Sequence, residues 1–459
     1  VLALAFPSDV VLAGPLASNG WPARLLIFWI AIAFVVGELA ARRKAPGRPR
    51  RTSPPEFGTY VLCASLIVAV AASWLRVVSA EESAGVLRAA LVLVPLAIIA
   101  LGVARSATID ATDRLLALFL GGAALSAVVA LVQFGTDFSL VDSLKFTGLT
   151  VGEPGGEGTR NEFLRVRGAA AHPIEFSVIC AALLPVGVHF ARFAGTERAR
   201  RLALVATGLI AVAIPLAVSR SGVLVALISV LAYAVVLNTR ERITGLVLLL
   251  IGVLLMRAAV PGLLGAIRSL FLGASRDDSI TGRTEDYDVV GALFRESPFL
   301  GRGLGTFRPE VYFFLDNQYL MSLVEGGLIA LTAVVLWLVL GISGARGAVL
   351  RSTADVDRSR AQAVAAALLA IGVSGFFFDL FSFSQVTVLT FLLVGISGAL
   401  WRRSVVVGRD LLPPAVRLRA AVTLGVRSWR AGRGPDRDGD GPRATSQGTH
   451  IDRGAASRS

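Results

Sequence analysis

The sequence predicts an all-α fold, a polytopic transmembrane helical bundle of about 12 spans with a large, partly helical extracytoplasmic loop. Three observations carry that expectation. Of 459 residues, 54% are hydrophobic and only 17% charged, with a mean hydropathy of +0.70, whereas soluble domains are about 45–50% apolar and about 25% charged. The apolar residues fall in runs near the roughly 20 residues that a bilayer-spanning helix needs. The basic residues, which give a net charge of +13, recur in alternate loops. A disordered, fibrous or cytosolic globular chain is excluded. Cys63 and Cys180 lie in apolar runs and supply neither a disulfide framework nor a thiolate metal site. Nucleic acid is not the partner that this charge distribution implies, and no cleavable three-part signal peptide is expected.

The spans are expected at 1–17, 22–40, 58–77, 86–104, 114–134, 171–191, 202–218, 222–238, 243–260, 318–340, 361–379 and 385–401. The loop after the second carries Arg42, Arg43, Lys44, Arg48, Arg50 and Arg51, which the positive-inside rule places in the cytoplasm. Arg192, Arg198, Arg200 and Arg201 then fall inside, as do Arg240 with Arg242, Arg346 with Arg351, Arg358 with Arg360, and Arg402 with Arg403. Both termini are therefore expected in the cytoplasm, and segments 135–170 and 261–317 outside a plasma membrane. Residues 1–401 form the membrane domain. Residues 402–459 hold twelve arginines and five aspartates among Gly, Pro and Ser, so a disordered basic cytoplasmic tail is expected, with its arginines near anionic membrane lipids. Its Asp436, Asp438 and Asp440 imitate a calcium loop, but Gln447 stands where a bidentate Glu is needed, and no metal site is expected.

Charges at bilayer depth are costly unless paired or facing water, so they point to function. Ser219-Arg220-Ser221-Gly222 joins two apolar runs too long for one span, so the chain turns there and Arg220 sits at the outer interface. The alternative is a snorkelling arginine. In the outer loop, Thr284 opens an amphipathic helix in which Tyr287, Val290, Gly291 and Phe294 share a face. Ser297-Pro298 ends it, and Gly301-Arg302-Gly303-Leu304-Gly305 is expected to follow as a flexible loop. Asp286 and Asp288 point apart on a helix and make a poor metal pair. Asp316 precedes the next span, where it suits either a helix cap or a catalytic carboxylate, and Glu325 lies between Val324 and Leu328 inside it. Arg167, Gly168, His172, Pro173 and Glu175 mark the mouth of the sixth span, with His172 and Glu175 three residues apart on one face; helix capping is the alternative there.

At these residues the sequence resembles the O-antigen ligase and O-antigen polymerase superfamily of bacterial polysaccharide assembly. The resemblance covers roughly residues 100–400. It rests on Arg167-Gly168 with His172-Pro173, on Ser219 to Gly222, on Gly282-Arg283 leading to Ser297 through Phe307, and on Asp316 through Leu320 running into Glu325-Gly326-Gly327-Leu328. It implies a metal-independent membrane glycosyltransferase, without cofactor, working at the outer face on an isoprenoid-diphosphate-linked oligosaccharide donor and a saccharide or lipid-glycan acceptor, alongside other polysaccharide-assembly proteins. Arg220 and Arg283, then Arg167, are the expected holders of the donor diphosphate. Asp316 stands where the ligase branch often has a histidine, so that base is not carried over. Asp316, then Glu325 and His172, are the candidate catalytic groups, in a direct inverting displacement. Arginines suit the diphosphate because they are always charged and bind it bidentately. A lipid-linked sugar transporter or flippase is the rival reading, and it calls for interrupted helices and charges on both halves. A non-catalytic scaffold of an assembly complex is the other.

Overall fold

The computed structural model describes residues 2–13, 20–44, 51–76, 79–136, 148–151, 159–160, 163–272, 278–309 and 311–410. Residues 1–408 form one compact unit, and of the second, 409–459, only the last two residues of a helix are described. The chain is built from helices. In order they are α1 (Leu2–Ala5), α2 (Pro22–Lys44), α3 (Pro54–Trp74), α4 (Ala80–Ser106), α5 (Ile109–Thr136), α6 (Pro173–Phe193), α7 (Glu197–Leu216), α8 (Arg220–Ala234), α9 (Thr239–Ala259), α10 (Leu263–Leu272), α11 (Asp278–Glu296), α12 (Gln318–Arg351), α13 (Asp355–Ser374) and α14 (Ser384–Asp410). Two small antiparallel pairs accompany them: β1 (Val10–Leu12) with β2 (Leu149–Val151), and β3 (Thr159–Arg160) with β4 (Phe163–Leu164).

Nine helices among the described residues are long and apolar enough to cross a membrane: α2 to α7, α9, α12 and α14. Two expected spans fall short of that measure. Helix α8 has 15 residues, and α13 opens with Asp355, Asp357, Arg358 and Arg360, which lower its hydropathy. The expected first span, 1–17, is not one continuous helix: among its described residues only Leu2–Ala5 are helical. Its apolar run is broken by Pro7, Ser8 and Asp9, after which Val10 pairs with Val151 and Leu12 with Leu149. Four membrane-length helices separate β1 from β2, which returns the chain to the end it left. The N-terminal segment therefore shares an end with the segment after α5, so a cytoplasmic N-terminus and an outer 135–170 loop exclude one another. At the other terminus α14 continues to Asp410, past residue 401 where the tail was expected. The rest of that tail, and most of segment 135–162, lie outside the described residues.

Local sequence explains the helix starts. Ser53 with Glu56, Ser79 with Glu82 and Asn238 with Glu241 are reciprocal capping boxes on α3, α4 and α9. Helices α6, α13 and α14 are buried along most of their length and make the centre of the bundle. Helix α9 buries no residue.

Hydrogen bonds gather the loops at two ends. At the near end Val166 donates to Leu216 O (3.4 Å), and Gln318 N to Gly375 O (2.8 Å) and Phe378 O (3.2 Å). At the far end Ser359 Oγ meets His189 Nδ1 (2.9 Å) and the Tyr233 hydroxyl (2.7 Å), tying α13 to α6 and α8.

Candidate functional site at the near end

Pro173 starts α6, and His172 caps it, its Nδ1 accepting from Ile174 N (3.1 Å). That bond requires Nδ1 to be unprotonated, which puts the proton of the neutral ring on Nε2. Burial lowers the His172 pKa to about 4, with the charges of Arg165 and Arg167 acting in the same direction, so the ring is neutral at physiological pH. Just before it, Arg167 is buried and ion-paired with Asp9, and it also donates to Ala170 O (3.3 Å). The sequence placed Arg167 among the diphosphate-binding residues; here its guanidinium joins the N-terminal segment to the loop. Glu175 is fully buried, one Oε accepting from Ala171 N (3.0 Å) and the other from Gln385 N (2.9 Å) and Val386 N (3.1 Å) at the start of α14.

The turn between α7 and α8 is tight. Ser219 caps α8 by accepting from Gly222 N (3.3 Å), and a Cβ at Gly222 would run into the Ser177 side chain on α6. Val218 holds a φ of 44°, the one non-glycine residue with a positive value among those described. A β-branched residue resists that region, and strain on the order of 1–3 kcal/mol persists only where its surroundings fix it, commonly at functional sites. Half-buried Arg220 follows directly as the first residue of α8.

The large loop is fixed by glycine and by a helix that breaks. Gly327 has φ 63° and ψ −160° inside α12, so the helical ladder is interrupted two residues after Glu325. Loop 298–303 satisfies the backbone groups this frees. Arg302 N donates to Val324 O (2.8 Å) and Gly303 N to Glu325 O (2.8 Å), while Leu328 N donates to Pro298 O (2.9 Å). Gly301 has a φ of 65°, and a Cβ there would collide with the backbone of Glu325 and Gly326. The glycine run is therefore a packed backbone seam, where a flexible loop was expected, because only glycine allows loop and broken helix to come so close. Glu325 accepts from Phe307 N (3.3 Å). Arg302 pairs with Glu296 (3.0 Å) and donates to the Tyr312 hydroxyl (2.8 Å).

Helix α11 begins at Asp278, earlier than Thr284. It is held by Val290, which packs with Phe307, Leu315, Met321 and Val324. This places the backbone of Arg283 on a helix docked over the start of α12; its side chain, like all those from 270 to 286, lies outside the described residues. Asp316 is exposed and is not the cap of α12. Asn317 takes that part, accepting from Tyr319 N (3.0 Å) and Leu320 N (3.1 Å), which leaves the Asp316 carboxylate to other contacts.

A residue that the sequence reading missed joins these pieces. The segment from Gly375 to Phe383, assigned by hydropathy partly to a span, is a turn, and it carries Asp379. Its Oδ1 is buried without a hydrogen-bond partner among the described residues, while Oδ2 accepts from the Ser382 hydroxyl. Asp379 is close enough to both Asp316 and Glu325 for their charges to interact. Burial pushes its pKa up to about 6, with the charge of Asp316 adding to the rise. Phe383 of the same turn packs on His172, 5.9 Å between ring centres. The near end thus brings Asp316, Glu325 and His172 around one turn. The only sign of it in the sequence was a single acid in the aromatic run from Phe376 to Phe383.

Residues 205–335 match the family model described as O-antigen ligase. The chain carries an O-antigen ligase family domain. The match takes in Arg220, Arg283, the glycine seam, Asp316 and Glu325, and leaves His172, Glu175 and Asp379 outside it. With nine membrane-length helices among the described residues, the protein is a multi-pass membrane protein that carries this O-antigen ligase family domain. No curated protein matches the chain. Among the described residues, no three His, Cys, Asp or Glu side chains are grouped to hold a metal ion.

Proposed function

We propose that the protein is a metal-independent glycosyltransferase that takes a glycan from an isoprenoid-diphosphate donor at the outer face of the plasma membrane and polymerises it or ligates it to a saccharide or lipid-glycan acceptor. The observation that carries this is the family match over the stretch holding Arg220, Arg283, Asp316 and Glu325. The near end faces outward in this reading, because the arginines of the intervening loops then lie inside.

The chemistry follows from the residue types. The bond from the anomeric carbon to the diphosphate breaks as the bond from the acceptor oxygen forms, with inversion. Arg220 and Arg283 stabilise the charge that collects on the departing diphosphate, and guanidiniums need no metal for this. Asp316, exposed beside Asp379, takes the proton of the acceptor hydroxyl. Ionised Asp379 makes it a stronger base through like-charge repulsion. His172 presents Nε2–H and serves as a hydrogen-bond donor. Arg167, sealed against Asp9, supports the loop and lies one step back from the diphosphate.

The test is turnover by the purified protein in lipid with an isoprenoid-diphosphate oligosaccharide and EDTA throughout. Wild type is expected to lengthen or transfer the glycan, Arg220→Ala, Arg283→Ala and Asp316→Asn to lose that activity, and the product ladder to separate polymerase from ligase. Transbilayer movement of labelled lipid without bond formation would establish the transporter instead. A broken helix such as α12 also occurs in transporters, yet here the freed backbone is closed by loop 298–303.

A further inference from the structure

Two buried polar side chains outside the family match bind the two loops of the site to each other. Glu175, in the first turn of α6, accepts from Ala171 N, the residue before His172, and from Gln385 N and Val386 N, close after Phe383. Gln385 works in the opposite direction: its Nε2 donates to Ala169 O (2.8 Å) and Phe6 O (3.1 Å). The two residues are 0% and 1% exposed. No cation lies within ion-pair distance of Glu175 among the described residues. A buried carboxylate accepting only backbone N–H groups is costly to desolvate, and a plain helix cap would need neither the charge nor the burial. What it achieves is a fixed separation between backbone positions 171 and 385.

We propose that Glu175 and Gln385 form a reciprocal clamp that positions His172 against the Asp379 turn, and so sets the geometry of the acidic group for transfer. They are positioning residues: neither touches the acids it places. The proposal rests on the transferase reading for its kinetic arm. The clamp itself stands on the hydrogen bonds alone.

The test is graded substitution in the full chain in lipid. Glu175→Gln keeps an oxygen for Gln385 N and Val386 N and loses the bond from Ala171 N; Glu175→Leu loses all three. Misplacement of reacting groups by about 1 Å costs on the order of 100-fold. Glu175→Leu is therefore expected to lower kcat roughly 100-fold and Glu175→Gln roughly tenfold, with donor KM within about threefold for both. Gln385→Leu is expected to fall between them. The second arm needs no turnover. Hydrogen exchange at 168–172 and at 378–387 is expected to accelerate together in Glu175→Leu, while the far-end segment 355–362 stays at the wild-type rate. Acceleration spread evenly over the whole bundle, exchange confined to one of the two loops, or equal activity in the Gln and Leu variants would overturn the clamp. Coupled exchange in Glu175→Leu beside a wild-type protein that turns nothing over would retain the clamp and defeat the transferase reading.

Discussion

The two ends of the bundle hold their carboxylates in opposite ways. At the far end Arg360 grips Asp113 through two bonds (2.6 and 3.0 Å) and also pairs with Asp357; Arg192 pairs with Glu241 (2.7 Å), and Arg105 with Glu56 (3.1 Å). At the near end Glu175, Glu325 and Asp379 face no cation within ion-pair distance among the described residues. They accept backbone N–H groups or a hydroxyl instead. Near-end arginines that are paired, such as Arg167 with Asp9 and Arg302 with Glu296, brace loops. A carboxylate matched to an arginine is neutralised and serves packing. One left without a cation is not neutralised by a partner charge, and such uncompensated acids collect where chemistry is expected.

The contrast is broken most severely at Arg220. Its removal takes away a guanidinium placed by a strained turn, and loss of one preorganised donor costs about 100- to 1,000-fold in kcat. Arg220→Ala is expected to show that loss with unchanged folded yield, and Arg220→Lys to recover only part, since an ammonium lacks the planar fork. A variant within threefold of wild type would remove the diphosphate role.

Next comes Asp379→Asn, expected to lower kcat about 10- to 100-fold and to flatten the pH profile. Because Asp379 titrates near 6, the wild-type rate should rise as pH climbs through that value, when both members of the Asp316 and Asp379 pair become charged. Stability runs the other way. A carboxyl whose pKa is raised by folding favours the fold most below its unfolded value near 4, and that contribution is lost as pH rises through about 6. A kcat profile with no limb near 6 in the wild type would detach Asp379 from the reaction.

Hydropathy made the bundle legible, and nine of the expected spans have helices of membrane length, because an apolar run of about 20 residues has few other outcomes in lipid. It misled at 1–17, where Val10 to Leu12 pair as a strand with Leu149 to Val151, and it ran the 361–379 span past the helix end at Ser374 into the turn that carries Asp379. Arg220, Asp316 and His172 stood out because each is polar at the edge of an apolar run, and Glu325 because it lies inside one. Asp379 did not, for its role comes from neighbours 63 and 54 residues away in sequence, Asp316 and Glu325, and no local spacing encodes that. The glycine seam was visible as composition. Its rigidity was not, since that depends on the break at Gly327.

At the far end the expected effects are on stability. Arg360 has a side chain only 6% exposed, whereas Asp113 and Asp357 are 32% and 49% exposed. Breaking a fully buried pair costs about 3–5 kcal/mol, and the water around both aspartates lowers this to about 2–3 kcal/mol for Arg360→Leu. Thermal unfolding in lipid should record the loss, while kcat at a temperature where the variant is folded stays within about threefold of wild type. A loss of activity without a drop in Tm would mean that the two ends are coupled and the contrast between them is not one of role.

The smallest effect is expected at Glu241→Gln. The pair with Arg192 is 31% and 21% exposed on its two sides, and such pairs contribute about 0–1 kcal/mol. The amide also keeps the oxygen that closes the capping box with Asn238 N, so the start of α9 should persist. Yet α9 buries no residue, and this pair ties its first turn to α6. A change too small for Tm should therefore appear locally, as faster hydrogen exchange over 239–245 with the rest of the bundle unaltered. If Tm instead falls as far as in Arg360→Leu, exposure has misjudged the pair, and the far end is held together as one network whose members cannot be weighed separately.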